Sequence, residues 1–395
     1  MITGIIAEYN PFHNGHKLQI DYAKNELHAD AVVVAMSGNF TQRGEIACFD
    51  KYLRAEAALK CGADIVLEIP TIFATSSARE FAAAGVQLLA KTGIVDTILF
   101  GAETDDKSLF VASAKKLIEL EQSGSLDSKI KELVSNGESF ATARSRALAD
   151  YIPDELKESP NNILGLEYCR YILENNLNID IALLKRTQNN YHDKFLTGDI
   201  SSATAIRNCL SACKPVTGVP AEAATIYENA IYVDANDVSE ILHYKLLSTE
   251  DYEKFLDCSK DLSDRIKNHI NEFIDLKSFC SLLKTKNITY SRLTRIMSHI
   301  LLDIKTDDFE AAKALGYITY LRMLGFSTTG AECLNKIKEL SSLPLITKTT
   351  DAVDHHDIFS SDVYRIIKTS KKQMAFPNEY TRKYNLTNIK RTPEL

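Results

Sequence analysis

The sequence predicts an α/β protein, with a doubly wound parallel sheet in its N-terminal half and a mostly α-helical domain after it. Through the first hundred residues, short apolar runs alternate with segments of helical period, which is the pattern of βαβ units. Those runs are apolar at every position, as strands covered on both faces of a parallel sheet must be. Beyond residue 216 the apolar residues recur almost entirely at helical spacing.

Taken in order, residues 2–8 are apolar and β-rich and form the first strand. After the turn at Asn10-Pro11, a helix begins near His16 and carries Leu18, Ile20 and Ala23. Ala31-Val32-Val33-Val34-Ala35-Met36 is a strand stopped by Ser37-Gly38-Asn39. Residues 49–61 read as a helix, 64–69 as a strand stopped by Pro70, and 77–92 as an Ala-rich helix ended at Gly93. A further strand, 94–100, ends at Gly101. Residues 113–151 have helical period, 168–177 form a helix tail, and 179–184 make another strand. Lys214-Pro215-Val216-Thr217-Gly218-Val219-Pro220 cannot continue a helix, so it divides a domain over 1–215 from one over 216–395. Helices are then expected over 237–247, 251–256, 261–273, 290–304, 309–323 and 331–340. Ligands of such sheets bind at the carboxyl ends of the strands. Residues 10–16, Ser37-Gly38-Asn39 and Gly101 fall there.

With 395 residues, 45% hydrophobic and 25% charged, the chain can bury a sizeable core in two domains. No apolar run reaches the roughly 20 residues that span a bilayer. The first seven residues lack the basic start of a signal peptide. The eight cysteines show no C-x-x-C spacing and read as small buried hydrophobes in a reducing, cytoplasmic setting. Cys209 and Cys213 stand four apart without a second ligand pair, and no metal site is predicted. His355-His356-Asp357 is read as a solvated loop. A net charge of −7 excludes a uniformly basic nucleic-acid binder but not a local basic face. No protein partner or membrane role is predicted.

The strongest local signal is Glu8-Tyr9-Asn10-Pro11-Phe12-His13-Asn14-Gly15-His16, an apolar strand running into N-P-x-H-x-G-H and a helix. Pro11 fixes the turn, Gly15 admits a nucleotide close to the backbone, and the helix N-terminus offers free N–H groups and positive dipole. Two imidazoles three residues apart can donate to α-phosphate oxygens as charge moves onto a leaving pyrophosphate. A second signal is Ile200-Ser201-Ser202-Ala203-Thr204-Ala205-Ile206-Arg207. Hydroxyls at a helix start, with an arginine one turn in, suit β- and γ-phosphates. An N-cap with a solvated arginine is the plainer reading of that segment alone.

Together the two segments resemble the HIGH nucleotidyltransferase superfamily, which pairs H-x-G-H with a downstream I-S-S-T-x-I-R. This chain departs from the pattern by the inserted Ala203 and by Glu8-Tyr9, where relatives often carry Gly and Phe. Further blocks narrow the resemblance: residues 36–45, 64–70, Phe100-Gly101-Ala102-Glu103, residues 159–165, and Arg186 with Tyr191-His192-Asp193. In this order they are similar to the bacterial tRNA(Met) cytidine acetate ligase family. The resemblance implies a Rossmann-like nucleotidyltransferase domain that binds ATP and forms acetyl-adenylate from acetate. The acetyl group then passes to the wobble cytidine of elongator tRNA(Met), giving N4-acetylcytidine. Carried over by position, it implies an ATP site of Ala7, Glu8, Tyr9, Asn10, Pro11, Phe12, Asn14, Gly15, Lys17, Leu18, Gln19 and Ile20. Gly101, Asn161, Asn162 and Arg186 complete that site. His13 and His16 would stabilise the phosphoryl transition state, and Ser201, Ser202, Thr204 and Arg207 would hold pyrophosphate. Magnesium is expected to accompany ATP, without a dedicated carboxylate cage. Gln42, Arg43 and Glu45 are read as contacting acetate or the cytidine, or as ordering a loop. Asp64 and Glu68 are assigned to a sheet edge or a cap.

Residues 276–302 hold Lys277, Lys284, Lys286, Arg292 and Arg295 with no acidic residue, and the tail from Val363 is also basic, with Lys371 and Lys372 among its charges. Tyr290, Tyr364, Phe376, Tyr380 and Tyr384 intersperse them. Phosphate contact with base stacking suits an anticodon loop, so Lys284, Lys286, Arg292, Arg295, Lys371 and Lys372 are expected to meet tRNA. A small-molecule nucleotidyltransferase of coenzyme biosynthesis is the alternative enzyme, and a scaffold keeping an idle nucleotide fold is the non-enzymatic one. The long basic helical half argues against the first, and His13, His16 and Arg207 against the second.

Overall fold

The structure, a computed structural model, describes residues 1–138, 140–186, 201–350 and 352–382. Its strands are β1 (Ile2–Ala7), β2 (Ala31–Ser37), β3 (Ile65–Ile69), β4 (Thr97–Ala102), β5 (Asp180–Lys185), β6 (Leu321–Phe326) and β7 (Leu345–Ile346). They form a single sheet in the order β5-β4-β1-β2-β3-β6-β7. The first five are parallel, β6 runs antiparallel to β3, and β7 is parallel to β6. The wholly apolar runs sort by parity. Ala31, Val33 and Ala35 enter the core on one face, against the Ala78–Lys91 helix. Val32, Val34 and Met36 face the other, against Ile20 and Ala23 of the Asn14–Asn25 helix and Ala55, Ala57 and Ala58 of the Lys51–Lys60 helix. Chain direction across the sheet reverses between β1 and β4, so their carboxyl ends open the crevice where doubly wound sheets bind ligands.

The doubly wound sheet and the helical C-terminal region are as expected, but the latter also gives two strands back to the sheet. Residues 309–323 were expected as one helix. Instead the Thr306–Ala314 helix stops before Gly316 and Tyr317, both at positive φ, and β6 follows. The apolar residues of β6 satisfied a helical period by coincidence of spacing. Residues 251–256 form turns rather than a helix.

His355-His356-Asp357 is not a solvated loop. It is the first turn of the His355–Lys372 helix, capped by Asp354, whose side chain accepts from His356 N. Asp357 is fully buried and accepts from Thr71 N at 2.6 Å and Tyr320 OH at 2.5 Å. Among the described residues no group of three or more His, Cys, Asp or Glu could hold a metal ion, and no helix is long and apolar enough to cross a membrane.

Glu68 is neither a cap nor at an edge. From β3 it meets Lys51 Nζ at 2.8 Å and Arg322 Nε at 2.9 Å, with all three side chains at 0% exposure. Glu379 closes the group on Arg322 and Lys51 and accepts from Tyr52 OH at 2.7 Å. Asp64, just before β3, caps no helix either: it accepts from Val32 N of β2 and from Ser327 Oγ and pairs with Lys24 at 2.8 Å.

Candidate active site

At the β1–β4 crevice lies a cavity of about 400 Å³. Its floor is the chain leaving β1. His13 caps the Asn14–Asn25 helix with Nδ1, which accepts from Gly15 N at 3.1 Å. His16 Nδ1 accepts from His13 N at 3.2 Å. With both Nδ1 atoms serving as acceptors, each neutral ring carries its proton on Nε2. The rings stack with centroids 3.7 Å apart. Burial, then the positive charges of Arg186 and Arg207, push His13 down to about 3. Burial, then His13 and Arg186, push His16 well below the ordinary 6.5. Both imidazoles are therefore neutral N–H donors throughout the physiological range, with no charge to lose on passing pH 6.5. An NMR titration of the His13 ring is expected to show no midpoint between pH 5 and 8; a midpoint near 6.5 would contradict this reading. Because the folded pKa lies below the unfolded one, this histidine favours folding less as pH falls from about 6.5 toward 3.

The second segment meets the first across the cleft. Arg207 Nη1 donates to Asn10 O at 2.7 Å and Nη2 to Thr204 Oγ1 at 3.3 Å, with Glu45 Oε2 at 4.0 Å. Asn10 Oδ1 in turn accepts from Cys48 N at 2.8 Å. Ser202 caps the Ala203–Ser211 helix and accepts from Ala205 N at 3.1 Å. So the N-cap and the phosphate-site readings apply to the same residue, which also lines the cavity. Gly218 at φ +82 brings its carbonyl to Asn14 N at 2.9 Å and passes close to Ser201. The interdomain boundary of the sequence reading thus packs beside the site. Ile200 and Tyr191-His192-Asp193 lie outside the described residues.

The third wall comes from β4 and β5. Arg186, directly after β5, donates its backbone N–H to Ala102 O at 2.8 Å and lies beside Gly101. Glu103 Oε1 accepts from Asn161 Nδ2 at 3.1 Å, with Arg186 Nε at 3.9 Å.

Of the residues named from sequence, Ala7, Glu8, Tyr9, Asn10, His13, Gly15, His16, Leu18, Gln19, Gly101, Asn161, Arg186, Ser201, Ser202, Thr204 and Arg207 line the cavity. Pro11, Phe12, Asn14, Lys17, Ile20 and Asn162 do not. Phe12 and Ile20 are fully buried in the core, Ile20 because a helix presents only one face to a cleft. Lys17 pairs with Asp21 at 2.8 Å. Asn162 is buried, accepting from Glu103 N and donating to Glu155 O.

Arg54 escaped the sequence reading. It is fully buried, and its guanidinium donates to the carbonyls of Phe49, Glu8, Ser37 and Gly38, tying together the chain ends after β1 and β2. Nothing in K-Y-L-R-A-E-A-A distinguishes it from a solvated helix arginine.

Gln42, Arg43 and Glu45 also line the cavity, and their turn is fixed at both ends. Gln42 N donates to Glu8 Oε1 at 2.6 Å and Gln42 Nε2 to Ser76 O at 3.0 Å. On the other side Thr294 Oγ1 donates to Arg43 O at 2.5 Å and Ser298 Oγ to Gly44 O, both from the Tyr290–Leu301 helix. Gly44 has φ +75, and a Cβ there would lie 2.3 Å from Arg295 N. Gly44→Ala is expected to lower the unfolding free energy by at least the ~1–3 kcal/mol that a strained backbone costs, because that backbone atom cannot give way. An unchanged urea midpoint would refute the contact.

The basic residues divide. Lys284 and Lys286 are exposed, and Arg292 and Arg295 partly so, with Arg292 Nη2 donating to Asp257 O at 3.2 Å. Lys371 and Lys372 are exposed, but Lys371 pairs with Asp237 at 2.7 Å. Lys368 and Arg382 both pair with Asp50, at 3.1 and 3.0 Å, so part of the basic tail fastens the C-terminal helix to the sheet domain. Residues 383–395, with Tyr384, Lys390 and Arg391, lie outside the described residues.

Neutral histidines stacked at the switch point of a doubly wound sheet, facing an arginine and a row of hydroxyls, define a nucleotidyl transferase of the HIGH class. The family model described as HIGH Nucleotidyl Transferase matches residues 1–379. The chain is 37% identical over 359 residues to the tRNA(Met) cytidine acetate ligase of Thermosipho melanesiensis, covering 88% of this chain and 84% of that one. It is 35% identical over 406 residues to the protein of that name from Clostridium acetobutylicum, covering 97% and 98%. The crystal structure of Thermotoga maritima TmcAL bound with alpha-thio ATP matches with TM-score 0.83 at 30% identity, covering 93% of this chain and 94% of that one. The chain belongs to the tRNA(Met) cytidine acetate ligase family.

Proposed function

We propose that this protein is an ATP-dependent ligase that activates acetate and transfers the acetyl group to the wobble cytidine of elongator tRNA(Met). The observation that carries it is the pair of neutral imidazoles, whose Nε2–H groups have no backbone partner among the described residues, beside Arg207; the Thermotoga relative is bound with alpha-thio ATP. In the first half-reaction an acetate oxygen attacks the α-phosphorus, and the bond from that phosphorus to the α,β-bridging oxygen breaks with its electron pair on pyrophosphate. His13 and His16 donate to the α-phosphate oxygens. Arg207, with the hydroxyls of Ser201, Ser202 and Thr204, takes the charge that moves onto the leaving group. No protein nucleophile is required, since acetate supplies its own. Magnesium fits as a companion of the triphosphate rather than as a resident ion, since Glu8 and Glu45 are the carboxylates on the described cavity wall. When bound, it neutralises phosphate charge.

In the second half-reaction the N4 amine of cytidine attacks the acetyl carbonyl and AMP leaves. The exposed Lys284, Lys286, Lys371 and Lys372 support tRNA binding, with the partly exposed Arg292 and Arg295, whose helix holds the Gln42–Glu45 turn. Incubating the protein with ATP, acetate and an elongator tRNA(Met) transcript, then digesting to nucleosides for mass spectrometry, tests the reading. N4-acetylcytidine that requires all three components is expected. Its absence, with the protein folded and ATP bound, would overturn the assignment.

A further inference from the structure

Acetyl transfer from a mixed anhydride to an amine releases a proton, and the cavity must offer a group to take it. His13 and His16 spend Nδ1 on backbone amides and hold the proton on Nε2, so neither ring has a free lone pair. Arg43, Lys185, Arg186 and Arg207 on the wall are cations. Glu8 and Glu45 remain. Glu45 faces Arg207 at 4.0 Å, on the side of the cleft assigned to pyrophosphate. Glu8 has Oε1 held by Gln42 N at 2.6 Å, and among the described residues Oε2 has no hydrogen-bond partner.

We infer that Glu8 is the general base of acetyl transfer, with Oε2 receiving the N4 proton of the attacking cytidine. This rests on the ligase function proposed above. As the N4–carbonyl bond forms, the carbonyl–oxygen bond to AMP breaks with its electron pair on the phosphate oxygen, and the proton moves to Glu8 and then to solvent. Two further observations support it. The turn that orients Glu8 is hydrogen-bonded to the Tyr290–Leu301 helix, which carries Arg292 and Arg295, so the carboxylate and the RNA-facing surface are held in one frame. The surroundings also raise its proton affinity above the ordinary 4.5. Burial raises it most, the Gln42 N–H and the charges of Arg43 and Arg207 oppose, and Glu45 adds to the rise. Tyr168, close enough to feel the Glu8 charge, stays protonated.

The test separates the half-reactions in full-length Glu8→Gln. Acetate-dependent ATP–pyrophosphate exchange reads the first, and single-turnover transfer from enzyme-bound acetyl-adenylate to tRNA(Met) transcript reads the second. Transfer is expected to fall at least about 100-fold further than exchange, within the usual range for removal of a general base. The wild-type transfer rate should rise with pH through an acid limb that Glu8→Gln lacks. Equal loss in both half-reactions, or transfer that keeps its rate and its acid limb, would overturn the inference. Wild-type protein that forms no acetylcytidine would instead overturn the ligase reading itself.

Discussion

His16→Ala is expected to lower kcat for acetate-dependent pyrophosphate release by about 10²–10³-fold, the usual cost of removing one preorganised donor from a developing anion. Negative charge on the α-phosphate oxygens and the leaving group grows in the transition state, so the loss should fall on kcat more than on KM for ATP. The ring is well suited to that task. His16 Nδ1 is fixed by the His13 backbone N–H, which directs the proton to Nε2, and stacking on His13 limits rotation. Since the imidazole is neutral in the folded protein, the donor needs no prior protonation, and wild-type adenylation should show no ionisation near 6.5. A variant with unchanged kcat and a raised KM would mean that His16 binds ATP without favouring the transition state.

Glu68→Ala is expected to destabilise the fold by about 3–5 kcal/mol, because breaking a buried ion group leaves uncompensated charge behind. Lys51 and Arg322 are both at 0% exposure. Without Glu68 they share Glu379 alone, leaving one excess positive charge between β3 and the C-terminal segment. Burial raises the Glu68 pKa, while the flanking Lys51 and Arg322 oppose that rise. Urea unfolding followed by circular dichroism measures the effect. A loss below about 1 kcal/mol would show that water or a rearranged Glu379 takes the place of the missing carboxylate.

The sheet was legible because its strands are covered on both faces, which leaves uninterrupted runs such as Ala31-Val32-Val33-Val34-Ala35-Met36. The phosphate side of the site was legible because a histidine N-cap, a helix N-terminus and a second capped helix depend on local spacing. The missed features depend on partners far along the chain. β6 is a strand through its pairing with β3. Asp357 is buried because Thr71 and Tyr320 meet it. Arg54 serves the site through carbonyls of residues 8, 37, 38 and 49. Carrying the ATP site over by position could not show that Phe12 and Ile20 are buried in the core.

Pyrophosphate release from ATP by the purified protein, with and without acetate and with Arg207→Ala alongside, tests the central claim most directly. Release that requires acetate and nearly vanishes in the variant is the predicted result. Release independent of acetate, or undiminished without the arginine that joins Asn10 O to Thr204 Oγ1, would contradict the account.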